Sequence, residues 1–260
     1  MRILVTFALE NEFAPWRAMR KFRPGKWGEA NVFCAEVGFA QVGVVLTGAG
    51  PKQAHLEVAK VLGSDPESIN LCVSSGLAGA LKAAYQIGQV LAARSIRTEA
   101  ELTDANGNTL TSSAPLLSFA EECGATLVER FYSAVRVVGS AEEKRHLGEH
   151  SDAVEMESFE ILLESAAYAI PAVAIRAISD TVDDELPLDM NRIFTDEGQV
   201  SIPRVLGQVA LHPTAVPDLV RLGQNSKAAA ESLARFLDKY IATVSQRFQI
   251  LERPSGVAAP

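Results

Sequence analysis

Paired cysteines, basic runs and membrane-length apolar segments are all missing from this 260-residue chain. It carries 24 Lys and Arg against 32 Asp and Glu, a formal charge of -8. A nucleic-acid partner is therefore disfavoured, because a polyanionic backbone needs a basic surface to meet it. The three cysteines, Cys34, Cys72 and Cys123, are odd in number and far apart. They form neither a disulfide framework nor a metal motif, so inert buried thiols in a reducing cytoplasm are expected. Of the four histidines, only His146 and His150 pair at i,i+4, and they lack the Glu of a zinc-binding helix, so no metal site is expected. Pro171 and Arg176 interrupt the most apolar stretch, which excludes a spanning helix there. The first apolar run ends at Glu10, and no signal peptide is expected. Gly48-Ala49-Gly50 and Gly76-Leu77-Ala78-Gly79 come without a Walker lysine-hydroxyl pair or a complete dinucleotide fingerprint. They read as tight turns after strands, and no organic cofactor is implied.

What is present is an ordinary globular composition, 48% apolar and 22% charged, in a chain long enough to bury a sizeable core. Apolar runs alternate with helical patterns. Ile3 to Ala8 reads as a strand buried on both faces, followed by a helix carrying Phe13, Trp16 and Met19. Val32–Val37 and Val42–Thr47 read as two strands joined by a short turn, and Pro51 opens a helix with Ala54, Val58, Val61 and Leu62 on one side. Further strands are expected over Ile69–Ser74, Gly88–Ile96, Val135–Val138 and Ala172–Ile178, with a hairpin-type turn at Asn106-Gly107. A helix is expected from about Glu157 to Ala169, and a long amphipathic one from about Ser226 that carries Leu233, Leu237, Tyr240, Ile241 and Val244. The pattern predicts one α/β domain over residues 1–250, with a mostly parallel twisted central sheet flanked by helices, and a flexible tail over 251–260.

In such sheets ligands bind outside the carboxyl ends of the strands. Glu10 and Glu12 fall at one such end, Val154-Glu155-Met156-Glu157 at another, and Ser179-Asp180 at a third. Each has a plain structural reading. Glu10 and Glu12 suit the first turn of a helix, where acids complement the dipole. Glu157 with Glu160 and Glu164 follows a line along a helix that a solvated stripe would also give, and Asp180 could cap the acidic loop that follows it. Carboxylates gathered at the mouth of an apolar sheet are nevertheless costly to desolvate unless something uses them.

The order Ala8-Leu9-Glu10-Asn11-Glu12, Thr47-Gly48-Ala49-Gly50, Ser75-Gly76-Leu77-Ala78-Gly79, Val154-Glu155-Met156-Glu157 and Arg176-Ala177-Ile178-Ser179-Asp180 resembles the purine nucleoside phosphorylase/nucleosidase superfamily. It is most similar to the methylthioadenosine/S-adenosylhomocysteine nucleosidases and the hopanoid-associated members. The resemblance implies that Glu12 activates water, that Met156 and Glu157 hold the ribose, and that Asp180, backed by Ser179, bonds the purine at N7. It also implies that Arg176 organises the carboxylates. An acidic Asp180 would need burial or neighbouring carboxylates, so Arg176 is expected nearer Glu12 or Glu157. The sequence departs from the family pattern at Leu77, where a Ser or Thr is usual, and Gly76 and Leu77 become an apolar pocket floor. It is also short between Val138 and Val154, which would leave Gly139 and Ser140 to face the base. The implied activity is hydrolysis of a 5′-modified adenine nucleoside by a homodimer or higher homo-oligomer. A phosphate-dependent phosphorylase and a non-catalytic nucleoside-binding protein stay open as alternatives. Glu10 and Glu12 stand where the family's phosphorylases carry an arginine-bearing loop, and they would repel a phosphate dianion.

Overall fold

In the computed structural model, which describes residues 1–64, 68–99 and 109–252, the first strand, β1 (Arg2–Phe7), runs through the middle of the sheet. Its side chains alternate: Ile3, Val5 and Phe7 enter one apolar cluster and Leu4 the other. Burial on both faces explains why the run is apolar without interruption. α1 (Glu10–Met19) follows, then the antiparallel meander β2 (Arg23–Trp27), β3 (Ala30–Val37) and β4 (Ala40–Leu46). β4 pairs parallel with β1, and α2 (Pro51–Ser64) returns to β5 (Leu71–Ser74), parallel to β1 on its other side.

The second half of the sheet bends onto itself. β6 (Leu77–Ala80), β7 (Val90–Thr98), the short β8 (Leu110–Thr111), β9 (Thr126–Ser133), β10 (Ala153–Glu155) and β11 (Ala172–Asp180) complete the order β2-β3-β4-β1-β5-β11-β6-β10-β9-β7-β8. Because β7 pairs with β11 as well as with β9, the strands β11, β6, β10, β9 and β7 close a ring. The sheet is mixed, with a parallel centre in β4, β1, β5 and β11. α1, α3 (Ala114–Cys123) and the long α7 (Val216–Glu252) supply one face of the core through Phe13, Trp16, Leu116, Leu117, Leu233, Leu237 and Tyr240. α2 and α5 (Ser158–Ala167) cover the other face with Ala54, Val58, Leu62, Ile161 and Leu162. Between them in sequence lies α4 (Ala141–Leu147), capped by the Ser140 hydroxyl, which accepts the Glu143 N–H at 3.2 Å. α6 (Ile202–Leu211) joins the loops after β11 to α7.

Several sequence expectations need correction. Val135–Val138 is not a strand. The strand lies earlier, at β9, where alternation with the charged Glu129 and Arg130 on its outer positions hid it. Gly76 to Gly79 is less a turn than the entry to β6, with Gly76 at φ +146° making the bend. Met19 is exposed, so α1 buries only Phe13 and Trp16 of the expected three. α7 begins ten residues before Ser226. The Asn106-Gly107 turn and the tail beyond Glu252 lie outside the described residues. Among those described, no helix is long and apolar enough to cross a membrane.

Candidate functional site

The parallel strands β1, β4, β5 and β11 bring their carboxyl ends to one edge, and a cavity of about 270 Å³ opens there. Its lining holds four carboxyl groups, one cation, Arg136, which pairs with Glu143, and the neutral polar side chains of Asn11, Ser179 and Ser226. Glu12, Glu155, Glu157 and Asp180 line it, with Met156, Leu77 and Ser179 between them. Leu186, Met190, Phe194 and Val200, from the segment after β11, and Leu222 of α7 give it an apolar cover. That segment is tied to the floor: the Ala49 N–H donates to the Gly198 carbonyl at 2.9 Å, and the Gln53 side chain donates to the Asp196 carbonyl at 2.7 Å.

Glu12 sits in the first turn of α1, bends back and also lines the cavity. One oxygen accepts the N–H groups of Ala8 at 3.0 Å and Leu9 at 3.3 Å, closing the helix start, and the other accepts Leu77 N–H at 3.4 Å. Burial pushes its carboxyl above the ordinary carboxylate range, opposed by Arg176 and by these backbone donors. Gly76 is required beside it, since a Cβ there would lie 3.3 Å from Glu12 Oε2 on a backbone that already has φ +146°.

Glu157 stands at the N-terminus of α5 and accepts the Gly50 N–H at 2.9 Å. Burial and the adjacent Glu155 carboxylate push it up to about 7, against the pull of Arg176. Glu155 is the residue that sequence reasoning passed over. Its Oε2 accepts the N–H groups of Glu157 at 3.0 Å and Ser158 at 2.8 Å, and Arg176 Nη2 at 2.5 Å. Arg176 lies 3.8 Å from Glu157, in accord with the expectation that it would sit by the carboxylates other than Asp180. It is wholly buried behind the cavity and does not line it. Burial first, and then the second carboxylate competing for one guanidinium, hold Glu157 towards its neutral form.

Asp180 ends β11 after an irregularity in its pairing with β6. The Ser179 hydroxyl donates to Oδ1 at 2.8 Å. Of the two surroundings expected for an acidic Asp180, burial or neighbouring carboxylates, the structure supplies burial, and its charged neighbour is a cation: Lys144 of α4 donates to Oδ2 from a fully buried position. The signal was in the sequence: Ala141 and Lys144 fall on one side of a short capped helix, and a lysine on the inward side needs a counter-ion. Gly79 leaves room for this group, since a Cβ there would come within 2.8 Å of Asp180 Oδ2 and 3.3 Å of Val154.

The structure gathers Glu12, Leu77, Met156, Glu157, Ser179 and Asp180 around one cavity, with Gly76 against Glu12. Gly139 and Ser140 are not among its walls; they border a neighbouring hollow with Leu186 and Pro187. The line of Glu160 and Glu164, which a solvated stripe would also give, is partnered across helices, with His55 of α2 at 2.8 Å from Glu164. Among the described residues no group of three His, Cys, Asp or Glu side chains is placed to hold a metal ion. Burial pushes the Cys72 thiol up to about 12, leaving it unreactive.

Fold and cavity together define an α/β protein with four carboxyl groups gathered in a cavity at the carboxyl edge of its sheet. The Phosphorylase superfamily matches residues 2–210, and the chain belongs to that family. No curated protein sequence matches it. Among solved structures, it is similar to the 5′-methylthioadenosine/S-adenosylhomocysteine nucleosidase of Helicobacter pylori, with TM-score 0.69 and 18% identity over 94% of this chain and 98% of that one. It is similar to the futalosine hydrolase of the same organism, with TM-score 0.70 and 18% identity over 94% and 98%. The corresponding 5′-methylthioadenosine/S-adenosylhomocysteine nucleosidase of Neisseria meningitidis gives TM-score 0.70 and 19% identity over 93% and 99%. At these identities the likeness is one of fold.

Proposed function

We propose that the protein is a nucleosidase that hydrolyses the N-glycosidic bond of a 5′-modified purine nucleoside, with adenine as the base. The observation that carries the reading is the set of three buried carboxyl groups, Glu12, Glu157 and Asp180, facing one small cavity under an apolar cover. Cleaving the bond builds positive charge on the sugar and negative charge on the departing base. A carboxylate beside the sugar stabilises the first, and a donor at the base relieves the second. In this reading Glu12 takes the proton of the attacking water. Its raised proton affinity suits a base that works near neutral pH. Glu157 and Met156 hold the ribose, the carboxylate accepting from its hydroxyls. Asp180, aligned by Ser179, bonds the base, and Arg176 holds Glu155 and Glu157 in place from behind.

Water is favoured over phosphate because the loop after β1 offers Glu10 and Glu12 rather than a cation, a dianion beside Glu12 would be repelled, and Arg136, the cation that lines the cavity, already pairs with Glu143. The apolar cover of Leu186, Met190, Phe194 and Leu222 suits an apolar 5′ substituent. Solved structures of the same fold that act on methylthioadenosine, S-adenosylhomocysteine and futalosine support the class. The reading includes a homodimer or higher homo-oligomer in the cytoplasm, which light scattering on the purified chain and fractionation of cells would check.

The test is base release from a matrix of nucleosides in phosphate-free buffer, adenine against hypoxanthine and a free 5′-hydroxyl against a thioether. Preferential release of adenine from the thioethers supports the proposal. Binding without release from any member would replace it with a nucleoside-binding protein.

A further inference from the structure

We propose that Lys144 acts on the departing base through Asp180, as a positioning residue that also holds the proton the base receives. The inference rests on the nucleosidase reading above. Lys144 is fully buried, and its ammonium has three acceptors: Asp180 Oδ2, the Thr181 carbonyl at 3.0 Å and the Asp184 carbonyl at 2.9 Å. Asp180 faces the cavity, whereas Lys144 does not line it. The substrate therefore meets the carboxyl group and not the amine. A buried ion pair is a poor device for stability alone, since apolar side chains of similar size fill such sites as well or better.

The three acceptors suit two positions of one proton. As an ammonium, Lys144 gives one N–H to each carbonyl and the third to Oδ2. As a neutral amine, it keeps both carbonyl bonds and turns its lone pair to an Oδ2–H. Neither position leaves a buried group unpartnered, so the proton can move with little reorganisation. In the step we infer, the C1′–N9 bond breaks and its electron pair goes to the purine. The proton that Lys144 passes to Asp180 Oδ2 goes on to N7, so the base leaves neutral, Asp180 returns to the carboxylate and Lys144 is left as the amine. The water's proton goes to Glu12. When the cavity opens, Glu12 loses that proton to solvent and Lys144 regains one, which closes the balance.

The experiment compares an adenine nucleoside with p-nitrophenyl ribofuranoside, whose leaving group departs without being protonated. It uses Lys144→Arg and Lys144→Met beside the wild type, with folding monitored by circular dichroism. Arginine keeps the charge and the hydrogen bonds but does not give up its proton, so it preserves a purely structural or electrostatic role and abolishes the relay. The expected result is that kcat for the adenine nucleoside falls about 100-fold or more in both variants, the size of a lost general acid. The ratio of p-nitrophenyl to adenine turnover should rise by a similar factor. If Lys144→Met does not fold, Lys144→Arg carries the test. Equal losses on both substrates, or full recovery of adenine turnover by arginine, would overturn the inference while leaving the nucleosidase reading intact. A wild type inert towards both substrates would remove the reading and the inference together.

Discussion

Glu157→Gln should make the protein more stable as pH rises. In the folded protein Glu157 and Glu155 share Arg176, and burial and the neighbouring charge move the Glu157 carboxyl from an ordinary 4.5 to about 7. A carboxyl group whose proton is held more tightly in the folded state contributes its stability below the unfolded value. That contribution is lost as pH climbs from about 4.5 through about 7. At about 1.4 kcal/mol per tenfold change in proton affinity, the loss approaches about 3 kcal/mol at pH 8.5. Glutamine keeps an oxygen for the Gly50 N–H and removes the second negative charge, leaving Arg176 and Glu155 as a one-to-one pair. Thermal unfolding of wild type and variant should therefore diverge with pH. The curves should lie close at pH 4.5 and separate by about 6–12 °C at pH 8.5, at roughly 2–4 °C per kcal/mol for a chain of this size. Turnover should fall in the same variant, because the ribose hydroxyls lose an anionic acceptor. A gap in melting temperature that does not change with pH, or a variant less stable than wild type at pH 8.5, would refute the argument from shared charge.

Other consequences follow from the same contacts. Glu12→Gln should lower kcat by about 100-fold or more with KM changed only a few-fold, since it removes a base and leaves the cavity's shape, and the acid limb of the rate profile should disappear with it. Asp180→Asn should lose most turnover and also destabilise the fold by about 3 kcal/mol, because Lys144 stays buried without its counter-ion; adding Lys144→Met should recover part of the melting temperature but none of the activity. Gly79→Ala places a methyl within 2.8 Å of Asp180 Oδ2, and steady-state kinetics should record a loss of about 100-fold in a protein that still folds.

The sequence made the fold legible where burial wrote a period into it. β1 is an unbroken apolar run because it is buried on both faces, and α7 keeps a 3.6-residue stripe because only one side packs. β9 was missed because charged residues interrupt its apolar ones, and β6 because its alanines and glycine resemble a turn. Glu12, Glu157 and Asp180 could be picked out because each stands at a strand end, next to glycines that keep the backbone close. Glu155 also stands at a strand end and lines the cavity, but its partner Arg176 lies 21 residues away in the chain, so its role does not show locally. Lys144 stands at no strand end and holds Asp180 from behind, 36 residues away. Leu186, Met190, Phe194 and Leu222 do not stand out in the sequence, since nothing local says that they close over a cavity.

The central claim is that water, activated at Glu12, attacks the sugar. The direct measurement is the sugar product formed from methylthioadenosine by the purified chain, identified by NMR across a phosphate titration that starts at zero. The account predicts free 5-methylthioribose at a rate independent of phosphate. A sugar 1-phosphate, formed at a rate that saturates with phosphate, would contradict it.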